Sequence, residues 1–152
     1  NIFFENNAGK LNNKGKETGL ALMSNSRSGS YFDSDNDGDL DIIVNNYHEA
    51  AVLFNNNLQS GDNHWLKVKL KGDPEQQVSL DAIGAKIMVT LPNGKILWRE
   101  VRSTDGYMSV HPKEQHFGLG NAKRAQLKII WPNGKEQNLG QIAVDQRLKI
   151  QL

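Results

Sequence analysis

The chain has 152 residues, 38% of them apolar and 23% charged, with a formal net charge of +1. That length supports one globular domain, or one domain with an appended fragment, and a real hydrophobic core. The absence of cysteine excludes disulfide scaffolds, cysteine zinc sites, iron–sulfur clusters and thiol nucleophiles. No apolar run reaches the roughly 18 residues of a membrane-spanning helix, so no membrane span is expected.

The even overall charge hides two unlike halves. Residues 1–63 carry 4 basic and 9 acidic side chains, a net of −5, whereas residues 64–152 carry 14 and 8, a net of +6. Thirteen of the 17 asparagines lie in the first 63 residues. The split predicts two units, 1–62 and 63–152, meeting near Gly61-Asp62-Asn63. The chain begins at Asn1 without a signal-peptide pattern, so a processed or partial chain is expected, with its targeting segment elsewhere.

In chain order, Ile2-Phe3-Phe4-Glu5-Asn6-Asn7 predicts a short strand running into a polar turn, and Gly19-Leu20-Ala21-Leu22-Met23 a weak one. Tyr31-Phe32 and Leu40-Asp41-Ile42-Ile43-Val44 predict strands on either side of an acidic run. Val52-Leu53-Phe54-Asn55-Asn56-Asn57 repeats the opening theme 50 residues later, the length of one propeller blade.

The second half alternates apolar and polar residues with period two. Residues 65–70, 85–91, 96–102, 127–131 and 147–152 each read as half-buried strands. Leu91-Pro92-Asn93-Gly94-Lys95 and Trp131-Pro132-Asn133-Gly134-Lys135 are near copies. Asn-Gly supplies the positive-φ residues of a tight hairpin, and each copy predicts a turn between antiparallel strands. A short helix is expected at most over 122–126 or 142–146. The basic residues here alternate with apolar ones, as on the wet face of a sheet, which argues against a nucleic-acid partner.

The most informative segment is Asp33-Ser34-Asp35-Asn36-Asp37-Gly38-Asp39-Leu40-Asp41. Carboxylates at positions 33, 35, 37, 39 and 41 repel one another unless a cation neutralises them. The spacing resembles the front of an EF-hand calcium loop. On that pattern Asp33, Asp35, Asp37 and Asp41 offer side-chain oxygens, Asp39 its main-chain oxygen, and Gly38 the turn. Position 12 is Val44 rather than a bidentate Glu, and the flanks read as strands, so a strand–loop–strand site is expected. Oxygen-only ligands select calcium over zinc or copper, and their number disfavours magnesium.

Residues 31–44 resemble the calcium loop of FG-GAP-like (VCBS-type) repeats, which are β-propeller blades. Further on, Asn63-His64-Trp65-Leu66-Lys67-Val68, Ala82-Ile83-Gly84-Ala85-Lys86-Ile87, Arg99-Glu100-Val101, Gly106-Tyr107-Met108-Ser109, His116-Phe117-Gly118-Leu119-Gly120 and Trp131-Pro132-Asn133-Gly134 occur in the order of the ASPIC/UnbV domain of the cartilage acidic protein family. The resemblance implies an all-β chain: a β-propeller-type blade fragment over 1–62, then a small antiparallel β-sandwich or barrel-like domain over 63–152. It implies a calcium-binding module without catalytic activity that binds protein or glycan. The expected setting is extracellular or at the cell surface, with outer-membrane association in a bacterium. Expected partners are the remainder of a longer propeller chain or a surface protein or glycan ligand.

The same sequence offers residues for other chemistries. A carbohydrate-active enzyme, or its accessory subunit, would use Glu100, Asp105 or Glu114 with a platform from Trp65, Trp98 or Trp131; core packing is the expected place of all three Trp. A hydrolytic triad would draw on Ser103, Ser109, Asp105 and His111, but no nucleophile-elbow pattern accompanies them. Structural, hydrogen-bonded roles are expected for His64 and His116; His48 belongs to no metal-ligand pattern. Gly118-Leu119-Gly120 lacks the third glycine of a dinucleotide fingerprint. A structural component of an envelope assembly is the remaining alternative.

Overall fold

A computed structural model describes residues 1–57 and 61–152. Residues 58–60, just ahead of the expected junction, lie outside the described residues. The described residues form twelve strands and no α-helix, with one 3-10 turn at Pro74–Gln76. Strands β1 (Phe4–Asn7) and β2 (Lys10–Asn13) make a hairpin. Strands β3 (Ser26–Phe32), β4 (Asp41–Asn46) and β5 (Val52–Phe54) form an antiparallel sheet in that order. The acidic run is the β3–β4 connection.

The remaining strands are β6 (His64–Lys71), β7 (Lys86–Thr90), β8 (Ile96–Glu100), β9 (Gln115–Gly120), β10 (Arg124–Ile130), β11 (Glu136–Ala143) and β12 (Gln146–Gln151). They build one sheet of order β11-β10-β7-β8 and another of order β12-β6-β9. Alternation explains the arrangement. Leu66, Val68, Leu70, Phe117, Leu119 and Ile150 point inward from one sheet, and Ile87, Val89, Ala125, Leu127 and Ile129 from the other. The two inner faces share one core with Trp131, Val101 and Val78, giving a sandwich-like domain without a closed barrel. Burying each of the larger side chains contributes roughly 1.5–3 kcal/mol.

The two Pro-Asn-Gly turns adopt the same structure. Leu91 N–H donates to Lys95 O at 2.9 Å and Trp131 N–H to Lys135 O at 2.8 Å. Asn93 and Asn133 each accept the amide of the lysine two residues on, at 3.0 and 3.1 Å. Gly94 and Gly134 take φ of 83° and 84°, the region the turn requires.

The fold departs from the sequence expectation in four places. The second unit is not wholly antiparallel: β12 pairs with β6 in parallel, Gln146 opposite Leu66. Neither expected helix forms, because 124–130 and 136–143 are strands; at Gly140 (φ 67°) a bulge opposite Leu127/Lys128 shifts the pleat. Residues 19–23 form no strand. Finally, Trp131 is buried and Trp65 half-buried, but Trp98 is 53% exposed on the edge strand β8.

Candidate metal centre

The β3–β4 loop folds through its own carboxylates. The amide of Asp37 donates to Asp35 Oδ1 at 3.3 Å, and that of Asp39 to Asp37 Oδ1 at 3.0 Å. The amide of Gly38 donates to Asp33 Oδ2 at 2.9 Å. Such contacts between an Asp side chain and a following amide make turns in place of regular structure. Asn36 and Gly38 supply the positive φ values, 64° and 99°.

The turns bring one oxygen from each of Asp33, Asp35 and Asp37 within 4.8 Å of one another. Asp41 is placed differently. It is buried, its Oδ2 accepts from the Ser34 amide at 2.8 Å and hydroxyl at 2.5 Å, and its Oδ1 accepts from the Asn56 amide at 2.8 Å. Those bonds hold its carboxyl below the usual range against the opposing effect of burial, which is the larger single influence. Asp41 thus ties both ends of the loop to the segment after β5. Both carboxylate oxygens of Asp39 are buried without a hydrogen-bond partner, as is Oδ1 of Asp33. Burial, then repulsion from Asp37, Asp41, Asp35 and Asp33, pushes the Asp39 carboxyl up to about 6.

The other half of the chain forms the floor under this loop. Lys67 of β6 pairs with Asp33, both side chains almost wholly buried. Removing one partner of such a pair costs about 3–5 kcal/mol, because the other charge is left stranded. Lys67 Nζ also lies 5.0 Å from the Trp65 ring centroid, a cation–π distance. Gly38 rests on the Trp65 indole so closely that an added Cβ would stand 2.0 Å from Nε1. His116 Nε2 donates to the Gly38 carbonyl at 2.7 Å. Burial holds the His116 ring below its ordinary range, the hydrogen bond to Gly38 acting against it.

Oxygen-only donors, three of them converging, suit a hard divalent cation. Oδ1 of Asp33 and both carboxylate oxygens of Asp39 are buried acceptors without a donor, open to a ligand. Lys67 is the one cation paired to the loop among the described residues, against five carboxylates.

The histidines, serines and carboxylates outside the loop are joined to different partners. His64 Nδ1 contacts Asp145 Oδ2 at 2.6 Å, and Asp145 Oδ1 accepts the Trp65 amide at 3.1 Å, fastening β6 to the turn before β12. His111 Nδ1 lies 3.2 Å from Ser30 Oγ, while Ser109 Oγ donates to Tyr107 O at 3.1 Å, so His111 and Ser109 are not paired as base and nucleophile. Glu114 is paired with Arg147, and Glu100 and Asp105 flank Arg102. His48 takes a positive φ of 58° and packs edge-on against Tyr47.

Comparison with known proteins adds an independent line. A model of the family described as ASPIC and UnbV matches residues 75–152, just over half of the chain. Cartilage acidic protein 1 of Homo sapiens is 30% identical over 106 residues, 68% of this chain and 15% of its own length. The Mus musculus protein of the same name is 30% identical over 106 residues, again 68% of this chain but 16% of its own. That of Xenopus tropicalis is 29% identical over 109 residues, 70% of this chain and 16% of its own. The chain therefore spans about one sixth of the length of these curated relatives. The match over 75–152, with 30% identity over 68% of the chain to a cartilage acidic protein, places the chain in the ASPIC and UnbV family.

Proposed function

We propose that this chain is a non-catalytic interaction module of an extracellular or cell-surface protein, stabilised by calcium bound in the β3–β4 loop. The observation that carries the reading is the convergence of Asp33, Asp35 and Asp37, beside buried oxygens of Asp33 and Asp39 that no hydrogen bond satisfies. Asp33, Asp35 and Asp37 would hold the ion, and Asp39 stands next to them. When bound, the ion would supply two positive charges that offset the clustered carboxylates and draw together the first half of the loop. Binding to the folded loop but not to the unfolded chain stabilises the fold, by about 2.7 kcal/mol at one hundred times Kd.

The three-stranded sheet β3-β4-β5, with an acidic loop between its first two strands, supports reading residues 1–62 as one blade of a propeller completed by the rest of a longer chain. The exposed Ile2, Phe4 and Leu53 are apolar side chains that such a remainder would cover. The word cartilage in the relatives' name supports the extracellular setting. Among the described residues, no helix is long and apolar enough to cross a membrane. The engagement of His111 and Ser109 with other partners supports the non-catalytic reading.

The test is thermal unfolding in excess calcium and in EDTA, with Asp35→Ala beside the parent chain, and calorimetric titration of calcium. A calcium-dependent rise in Tm that Asp35→Ala abolishes is the expected result. Equal Tm in calcium and EDTA, with the chain folded, would remove the metal assignment.

A further inference from the structure

Between β8 and the 102–115 connection lies a groove of about 220 Å³, lined by Tyr31, Trp98, Glu100, Arg102, Asp105 and His111 among others. We propose that this groove is a saccharide-binding site that takes a neutral pyranose ring, with Trp98 as its stacking face. The proposal rests on the reading of the chain as an interaction module and names the class of its ligand.

The first argument is the aromatic surface. Trp98 is 53% exposed and Tyr31 44% exposed, although the same chain buries Trp131 and covers Trp65 with its own loop. Tyr31 is stacked on His111, ring centroids 4.1 Å apart at 27°, so one wall of the groove is a preformed aromatic pair. The negative face of an aromatic ring attracts polarised C–H groups, which a pyranose presents on one side.

The second is unspent hydrogen bonding. Arg102 stands between Glu100 and Asp105, 3.7 Å from each. Those separations hold the charges in balance but are too long for hydrogen bonds. The guanidinium N–H groups and the carboxylate oxygens therefore keep capacity for a guest. A sugar hydroxyl satisfies both at once: its O–H donates to a carboxylate while its oxygen accepts from the guanidinium.

Charge and rigidity narrow the class. Arg99 and Arg102 offset Glu100 and Asp105 within the groove, so nothing there draws a polyanion. That contrasts with the cleft bearing Lys69, Lys71 and Lys149 on the opposite sheet. The wall is braced in advance. Lys113 Nζ donates to Arg102 O at 2.8 Å and Ser103 O at 2.6 Å, and Ser30 Oγ to Val110 O at 3.1 Å. Bracing of this kind lowers the ordering cost of binding. The volume is below the roughly 300 Å³ at which pockets for larger ligands begin, which suits a single ring of a longer glycan.

The experiment is a titration of the full chain with cellohexaose, mannohexaose and, as acidic comparator, hexagalacturonate, read by the Trp indole N–H signals in NMR. The expected result is that at least one neutral hexasaccharide, at millimolar concentration, shifts the Trp98 indole signal and leaves that of Trp131 in place. Followed through the backbone amide signals of residues 102–115, which every variant keeps, Trp98→Ala should weaken binding at least tenfold, and Glu100→Gln by roughly fivefold. No shift with either neutral sugar, unchanged affinity in Trp98→Ala, or response to hexagalacturonate alone would overturn the proposal. Trp98 is half-exposed on an edge strand, and the unmoved Trp131 signal in Trp98→Ala checks that the variant is folded. Running the titration in calcium and in EDTA separates the two readings. Sugar binding without a calcium effect on Tm removes only the metal assignment; a calcium effect without sugar binding removes only the groove.

Discussion

The imidazole of His116 and the carbonyl of Gly38, 78 positions apart in sequence, are joined by a 2.7 Å hydrogen bond. With Lys67 on Asp33 and Trp65 under Gly38, this bond makes the acidic loop a shared structure: its carboxylates come from the first half of the chain and its floor from the second. Both contributions can be tested separately.

Gly38→Ala should disrupt the floor contact. The added methyl group meets the Trp65 indole at 2.0 Å, and the φ of 99° is strained for any side chain. Overpacking and backbone strain together should cost roughly 2–4 kcal/mol. A fall in Tm on the order of 10 °C is expected for a chain of this size. Scanning calorimetry checks it, with Trp65 fluorescence reporting the local change; a Tm within error of the parent would contradict the docking of Gly38 on Trp65.

Lys67→Met should be more harmful without calcium than with it. In EDTA the variant leaves Asp33 buried and unpaired, a loss of about 3–5 kcal/mol. Calcium restores a counter-charge, and the removed ammonium no longer competes with it. The gain in Tm between EDTA and calcium should therefore be larger in Lys67→Met than in the parent. A double-mutant cycle with Asp33→Asn measures the coupling, which should be absent in Asp33→Asn backgrounds.

Asp35→Ala and Asp41→Asn should separate two kinds of carboxylate. Asp35 is exposed and flanked by like charges, so its loss should leave the EDTA melting curve nearly unchanged while cancelling the calcium gain. Asp41 accepts three hydrogen bonds in a buried position. Asp41→Asn should lower stability in EDTA itself, by roughly 2–4 kcal/mol. Paired melts in both conditions distinguish these outcomes.

The pH dependence carries two opposed signs. The folded pKa of His116 lies below its unfolded value, so the unfolded chain binds more protons. Its contribution is present above about pH 6.5 and lost as pH falls through the folded pKa. Asp39 acts the other way: its folded value of about 6 lies above the unfolded 3.8, so its contribution is present below 3.8 and lost as pH rises through about 6. In EDTA and in an Asp39→Asn background, Tm should fall on acidification below neutrality, and His116→Gln, which keeps an N–H for Gly38, should flatten that fall. An unchanged slope in the double variant would exclude His116 as its source.

Much of this fold is written in alternation. Trp65 to Leu70, Ala85 to Leu91 and the twin Pro-Asn-Gly turns each state their structure locally, and the structure follows them. Strand β11 does not, because the bulge at Gly140 lets Leu139 and Ile142, three positions apart, both pack on the core; three-residue spacing imitates a helix. The parallel partner of β6 is a property of topology, which no local pattern encodes. Of the candidate site, the carboxylates are plain in sequence, but their floor is not. Lys67 looks like any lysine on the wet face of a strand, and only the loop laid over it from another sheet buries it. Trp98 fails in the opposite sense: it sits among apolar neighbours, yet edge-strand geometry turns it outward.

The parallel seam between β6 and β12 has a kinetic consequence. Its partners, such as Leu66 and Gln146, are 80 positions apart, and no hairpin can bring them together. Contacts of such separation close slowly, because chain entropy is lost before they are rewarded. β6 supplies Lys67 and Trp65 to the acidic loop, and Asp145, next to β12, holds the Trp65 amide and carbonyl, so the last strand braces the floor when it arrives. An ion that recognises the finished loop should leave the refolding rate almost untouched and act on the reverse step, lengthening the lifetime of the folded chain.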